Sequence, residues 1–98
     1  MEKKIKIGYQ DIQIERETST FQKQTDCYGE YDHRKNTITI QNGLDPLDEA
    51  NTVIHEVLHA IAYINSLTVS GQPLDSENKE EITINQMTNG LMQVFRDN

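Results

Sequence analysis

Cysteine occurs once, at Cys27, so an internal disulfide is excluded. Such a chain agrees with a reducing compartment and draws its stability from packing or from a metal. Cys27 itself reads as a small, half-buried strand residue. Long apolar runs are missing too. No stretch approaches the roughly eighteen continuous apolar residues of a membrane-spanning helix, and Met1-Glu2-Lys3-Lys4-Ile5 lacks the apolar segment of a signal peptide. A cytoplasmic protein without a membrane partner is the expectation. Basic residues are few: 9 Lys and Arg against 16 Asp and Glu leave a net charge of -7 and a pI near 4.8. They are scattered, apart from Lys3-Lys4 and Arg34-Lys35. A phosphate backbone needs clustered cations to displace its counterions, so nucleic acid is disfavoured as a partner. Internal repeats and low-complexity tracts are also absent. What is there is 98 residues with 35% hydrophobic content, enough for one core and too little for two ordinary domains. One domain over residues 1–98 is expected.

Residues 5–15 alternate, with Ile5, Ile7 and Tyr9 followed by Ile12 and Ile14 in a changed phase. That pattern predicts a strand with a bulge, or two short strands. A second β region runs from about Cys27 to Gln41, where Tyr28-Gly29-Glu30-Tyr31 and Thr37-Ile38-Thr39-Ile40 flank a polar turn and predict a hairpin. Residues 16–26 lack a pattern and read as a connection. Asn42-Gly43 ends the sheet. Asp45-Pro46-Leu47-Asp48 then combines an N-cap, a proline at the first helical position and an acid at the third, predicting a helix from about Pro46 to Asn65. After the loop around Gly71 and Pro73, Asp75 or Ser76 caps a second helix with the stripe Ile84, Met87, Leu91, Val94 and Phe95. The elements predict an α+β fold.

Apolar residues surround the first helix almost completely, from Val53 to Ile64, and only His55, Glu56 and His59 interrupt them. Such a helix is expected to be buried on most sides. Three ionisable side chains there would cost several kcal/mol if unpaired, on the order of the penalty for burying polar groups, and a metal with a water satisfies all three. His55-Glu56-Val57-Leu58-His59 is an HExxH string. Residues four apart share a helical face, so both imidazoles can reach one ion at about 2.0–2.1 Å. Glu56 is rotated by about 100° from His55, which sets it beside the water as a proton acceptor. Zn²⁺ suits this donor set, and a zinc-dependent hydrolase is the expected activity. Chance writes HExxH in roughly one in several hundred chains of this size, so its setting on a capped helix carries the weight.

A third ligand is needed, and no histidine follows His59. The HExxHxxGxxH type would need Gly at Ala62 and His at Asn65, and is excluded. Glu77, Glu80 and Glu81 remain, and helical spacing back from Ile84 reaches both Glu80 and Glu81. Of the other polar residues, His33 reads as a solvated turn residue, Tyr28 and Tyr31 as strand packing rather than oxyanion donors, and Glu77 as a favourable charge at a helix start.

Tyr28-Gly29-Glu30-Tyr31-Asp32 with Thr37-Ile38-Thr39-Ile40, then His55-Glu56-Val57-Leu58-His59-Ala60, then Glu80-Glu81-Ile82-Thr83-Ile84 with Asn89-Gly90-Leu91-Met92-Gln93-Val94, resemble the small zincin-like metallopeptidases of phages and mobile elements, related to the ImmA/IrrE type of gluzincin. The resemblance covers most of the chain. It implies a small twisted antiparallel or mixed sheet packed beside the HExxH helix and a C-terminal helix, with a glutamate on that helix as third ligand. Gluzincins follow that glutamate with an Asp- or Asn-like residue that braces a zinc-bound histidine, a shape that Glu81 with Asn85 matches. The expected set is His55, His59 and Glu81 on zinc, with Glu56 as the base. A protein or peptide substrate follows, such as a repressor of a mobile element, aligned along an edge strand at about Thr37 to Gln41. Longer members carry further helices around the groove, so here it is expected to be open or completed by a partner or a second copy. Two rival readings stay open: a non-catalytic zinc-binding regulator, and a zinc hydrolase acting on a non-peptide such as RNA, which the acidic composition disfavours.

Overall fold

A computed structural model describes residues 3–17 and 28–97. Its elements are β1 (Lys3–Ile7), β2 (Gln10–Glu17), β3 (Gly29–Asp32), β4 (Thr37–Gln41), α1 (Pro46–Ile64) and α2 (Glu77–Asp97). The fold is α+β, with a four-stranded sheet in the order β1-β2-β4-β3. β1 pairs antiparallel with β2, β2 parallel with β4, and β4 antiparallel with β3, so the sheet is mixed. The alternating segment forms two strands, because Gly8 takes φ +61° in the two-residue turn between Ile7 and Gln10. Arg16 and Glu17, expected in a connection, extend β2 by pairing with Ile40 and Gln41. Cys27 and most of the connection predicted over 16–26 lie outside the described residues.

Register turns alternation into a one-sided sheet. Ile5 pairs with Ile12, Ile14 with Ile38, Ile38 with Tyr31 and Ile40 with Gly29, while Gln13 with Thr37 and Glu15 with Thr39 fall on the other parity. Ile12, Ile38 and Ile40 are buried at the centre, and Val53, Val57 and Ile64 of α1 pack against them. The β3–β4 turn closes on Asp32, whose Oδ1 accepts the amides of Arg34 (2.9 Å) and Lys35 (3.4 Å). Asn36 supplies the left-handed residue there, with φ 49°.

Asp45 caps α1 as predicted, its carboxylate accepting from the Asp48 amide at 2.9 Å. Ser76 caps α2 by accepting from the Lys79 amide, whereas Asp75 accepts from the Gly71 amide and from Lys79 Nζ. From Val53 to Ile64, α1 is buried or half-buried apart from Ile61 and Tyr63, which face solvent. The α2 stripe is buried only at Ile84, while Met87, Val94 and Phe95 are exposed and Thr88 is buried in their stead, its Oγ1 donating to the Ile84 carbonyl at 2.7 Å. Among the described residues no helix is long and apolar enough to cross a membrane.

Candidate metal centre

Two lines of residues on α1, each at four-residue spacing, build the site. Thr52, Glu56 and Ala60 form a buried line, and Thr52 Oγ1 turns inward to donate to the Asp48 carbonyl at 2.8 Å. The line can approach β3 closely because Gly29 has no side chain. A Cβ there would lie 2.6 Å from Thr52 Cγ2, 3.1 Å from the Thr39 carbonyl oxygen and 3.3 Å from Glu56 Cγ. His55, His59 and Tyr63 form the neighbouring line, along a cleft of about 520 Å³ between β3, α1 and the start of α2.

The structure brings His55, His59 and Glu81 together: one donor atom from each lies within 4.8 Å of the others. His59 Nε2 is 3.1 Å from His55 Nε2 and 2.8 Å from Glu81 Oε1, and His55 Nε2 is 3.7 Å from Glu81 Oε2. Tetrahedral zinc with bonds of about 2.0–2.1 Å separates its ligand atoms by roughly 3.3 Å, in the middle of these spacings. Glu80 does something else. Its Oε2 accepts the Nδ1 proton of His59 at 2.5 Å. That bond leaves Nε2 of a neutral His59 as an acceptor, pointed at a carboxylate that can only accept. A proton shared between the two groups, or a metal ion between the donors, reconciles them.

Glu80 therefore makes with His59 the kind of contact that the resemblance would give to Asn85, and Asn85 is exposed. A carboxylate on the far nitrogen of a ligand histidine fixes its tautomer and raises its basicity. Sequence spacing could not assign the two adjacent glutamates. Neighbours on a helix are turned by about 100°, and the rotation of α2 against α1 decides which carboxylate meets which nitrogen.

Glu56 is 7% exposed and lines the cleft, with no hydrogen bond or ion pair among the described residues. Burial pushes its carboxyl up to about 7, and Glu81, Glu30 and Glu80 add to the rise against the pull of His59. His55 is held below the usual imidazole range, first by burial and then by His59. Glu30 and Glu77 also line the cleft, and no Lys or Arg does so among the described residues.

Tyr31 packs against the sheet core, as its strand position predicts, and its hydroxyl is buried without a partner among the described residues. Burial, then Tyr63 and Asp32, raises its pKa. Tyr28 borders a smaller cavity of about 220 Å³ beside Glu56 and His55. His33 is exposed, as a turn residue should be, yet it lies on Tyr63 with ring centroids 4.4 Å apart and an interplanar angle of 18°. Sequence reasoning missed Tyr63 as a cleft residue. Its signal was its place four residues beyond His59.

Compared with known proteins, the chain matches no family model, no curated protein and no solved structure.

Proposed function

We propose that the chain is a metal-dependent hydrolase, and specifically a zinc peptidase of the glutamate-ligand, zincin-like type that its HExxH motif resembles. The observation that carries this reading is the convergence of His55, His59 and Glu81 at ligand spacing beside the buried Glu56. In this reading His55 and His59 offer Nε2, Glu81 a carboxylate oxygen, and Glu80 holds the His59 ring in orientation. Bound there, zinc would acidify a water and polarise the carbonyl under attack. Glu56 accepts the proton of the attacking water and returns it to the departing amine. A carboxyl whose affinity for protons lies near neutrality is suited to both transfers.

A peptide is favoured as substrate over a nucleic acid because the cleft is lined by carboxylates. The strand that can align it is β3, not Thr37 to Gln41 as the sequence reading expected. β4 lies between β2 and β3, so its main chain is already paired on both sides. Among the described residues β3 is an edge, and Glu30 and Tyr31 line the cleft. An extended peptide added to it gains main-chain hydrogen bonds across the metal site.

Metal analysis of the purified protein tests the reading first, with one equivalent of zinc expected and loss of it in His59→Ala. Glu56→Gln should retain zinc and lose cleavage of a peptide mixture by roughly 100-fold or more. Wild-type protein that takes up no zinc, or a Glu56→Gln variant that cleaves as well as wild type, would overturn it.

A further inference from the structure

The metal cleft continues past its aromatic wall into a second cavity of about 450 Å³, and the two share Tyr31, His33, Tyr63 and Thr68. Their chemistry differs. Five glutamates line the cleft, whereas no Asp, Glu, Lys or Arg lines the second cavity among the described residues. Ile64 and Val69 give it aliphatic surface, and Asn36 Nδ2 donates to Gln10 Oε1 at 3.3 Å along its polar side.

The rings of this wall come from separate parts of the chain. His33 of the β3–β4 turn stacks on Tyr63 of α1, and Tyr31 of β3 meets Tyr63 edge-on at 6.2 Å. Yet Tyr63 is 44% and Val69 51% exposed. An uncharged lining with an open aromatic pair, beside a reaction site lined by carboxylates, is what a subsite for an uncharged side chain requires. A charged side chain entering this cavity would lose water and meet no counter-ion in its lining among the described residues. A flat uncharged ring would gain the contact area of Ile64 and Val69 and a further stacking partner in the exposed pair.

We propose that this cavity is the subsite next to the reacting centre and that it takes an uncharged aromatic side chain of a peptide substrate. An extended chain advances about 3.3 Å per residue, so a peptide paired with β3 at the metal site carries its next residues toward the shared wall. The inference rests on the peptidase reading for its substrate, but binding in the cavity needs neither turnover nor the metal ligands.

The test is amide NMR of the purified protein titrated with N-acetyl-phenylalanine amide and with the matching lysine amide. The phenylalanine compound should move the signals of Asn36, Ser66 and Val69, and the lysine compound should leave them in place. Tyr63→Ala, or His33→Ala if the first variant does not fold, should weaken the phenylalanine response about tenfold, while Phe95→Ala, on an exposed site of α2, should not. Equal response to lysine, no response to phenylalanine, or undiminished affinity in a folded variant would overturn the subsite. Digestion of a mixed peptide pool separates this from the parent reading. Cuts beside aromatic residues support both, cuts without aromatic bias defeat the subsite alone, and phenylalanine binding without any cut keeps the subsite and defeats the peptidase.

Discussion

Glu80 and Glu81 are chemically identical neighbours with different tasks. Glu81 points its oxygens at the Nε2 atoms of both histidines, and Glu80 takes the far nitrogen of one. Removing Glu80 should therefore leave a metal site with a loosely held His59, and Glu80→Ala should lower zinc affinity by roughly 10–100-fold. Glu81→Ala should cost more, as a lost ligand. Competition against a chromophoric chelator measures both, and a larger loss in Glu80→Ala would reverse the two roles. Glu56 gives a second expectation, for the metal-free chain. Its folded pKa, about 7, lies above the ordinary carboxyl value of 4.5, so the folded state holds a proton that the unfolded state has released between these values. Stability is therefore full below about pH 4.5 and is lost as pH rises toward 7, by about 3 kcal/mol in total. Urea unfolding of chelator-treated wild type and Glu56→Gln across that range isolates the effect. A difference between the two proteins that does not grow with pH would refute it.

At the level of elements, the contact of α1 with β3 depends on the missing side chain of Gly29. A methyl group there meets Thr52 Cγ2 at 2.6 Å, well inside contact distance, and Glu56 Cγ at 3.3 Å. Gly29→Ala should destabilise the fold by roughly 1–3 kcal/mol, the usual range for overpacking. It should also reduce activity without lowering zinc content, because the displaced line carries Glu56 and not the ligands. Thr52→Ser removes the offending Cγ2. Combined with Gly29→Ala it should restore much of the lost stability, a non-additive result that a double-mutant cycle reads directly. Additive losses would mean that the two groups do not collide. The helix ends need no such long-range cooperation, since Asp45 and Ser76 cap them with their own carboxylate and hydroxyl.

The molecule as a whole carries a net charge of -7 and gathers several of its carboxylates around one cleft. Crowded like charges destabilise a compact state, and a divalent cation at their centre relieves them. Zinc that binds only the folded chain, at about 100 times its dissociation constant, adds roughly 2.7 kcal/mol. For a chain of this size that corresponds to a rise in Tm of about 10–20 °C. Calorimetry with zinc and with chelator should show the rise in wild type and lose it in His59→Ala. An equal rise in both proteins would place the metal elsewhere.

Local rules are written in the residues themselves. Alternation predicted the strands, Asp45-Pro46 the start of α1, and four-residue spacing the shared face of His55 and His59, because each follows from geometry within a few residues. The sequence by itself thus determined the elements and a candidate pair of ligands. Tertiary structure decided what depends on distant pairing. β4 became an interior strand because β2 pairs parallel to it across the connection, which left β3 at the edge among the described residues. The α2 stripe went unburied beyond Ile84 where only the packing of other elements could cover it. The division between Glu80 and Glu81, and the meeting of His33 with Tyr63, were set by how α2 and the β3–β4 turn lie against α1. Spacing within one element fixes which side chains share its face, and only the packing of elements fixes what that face meets.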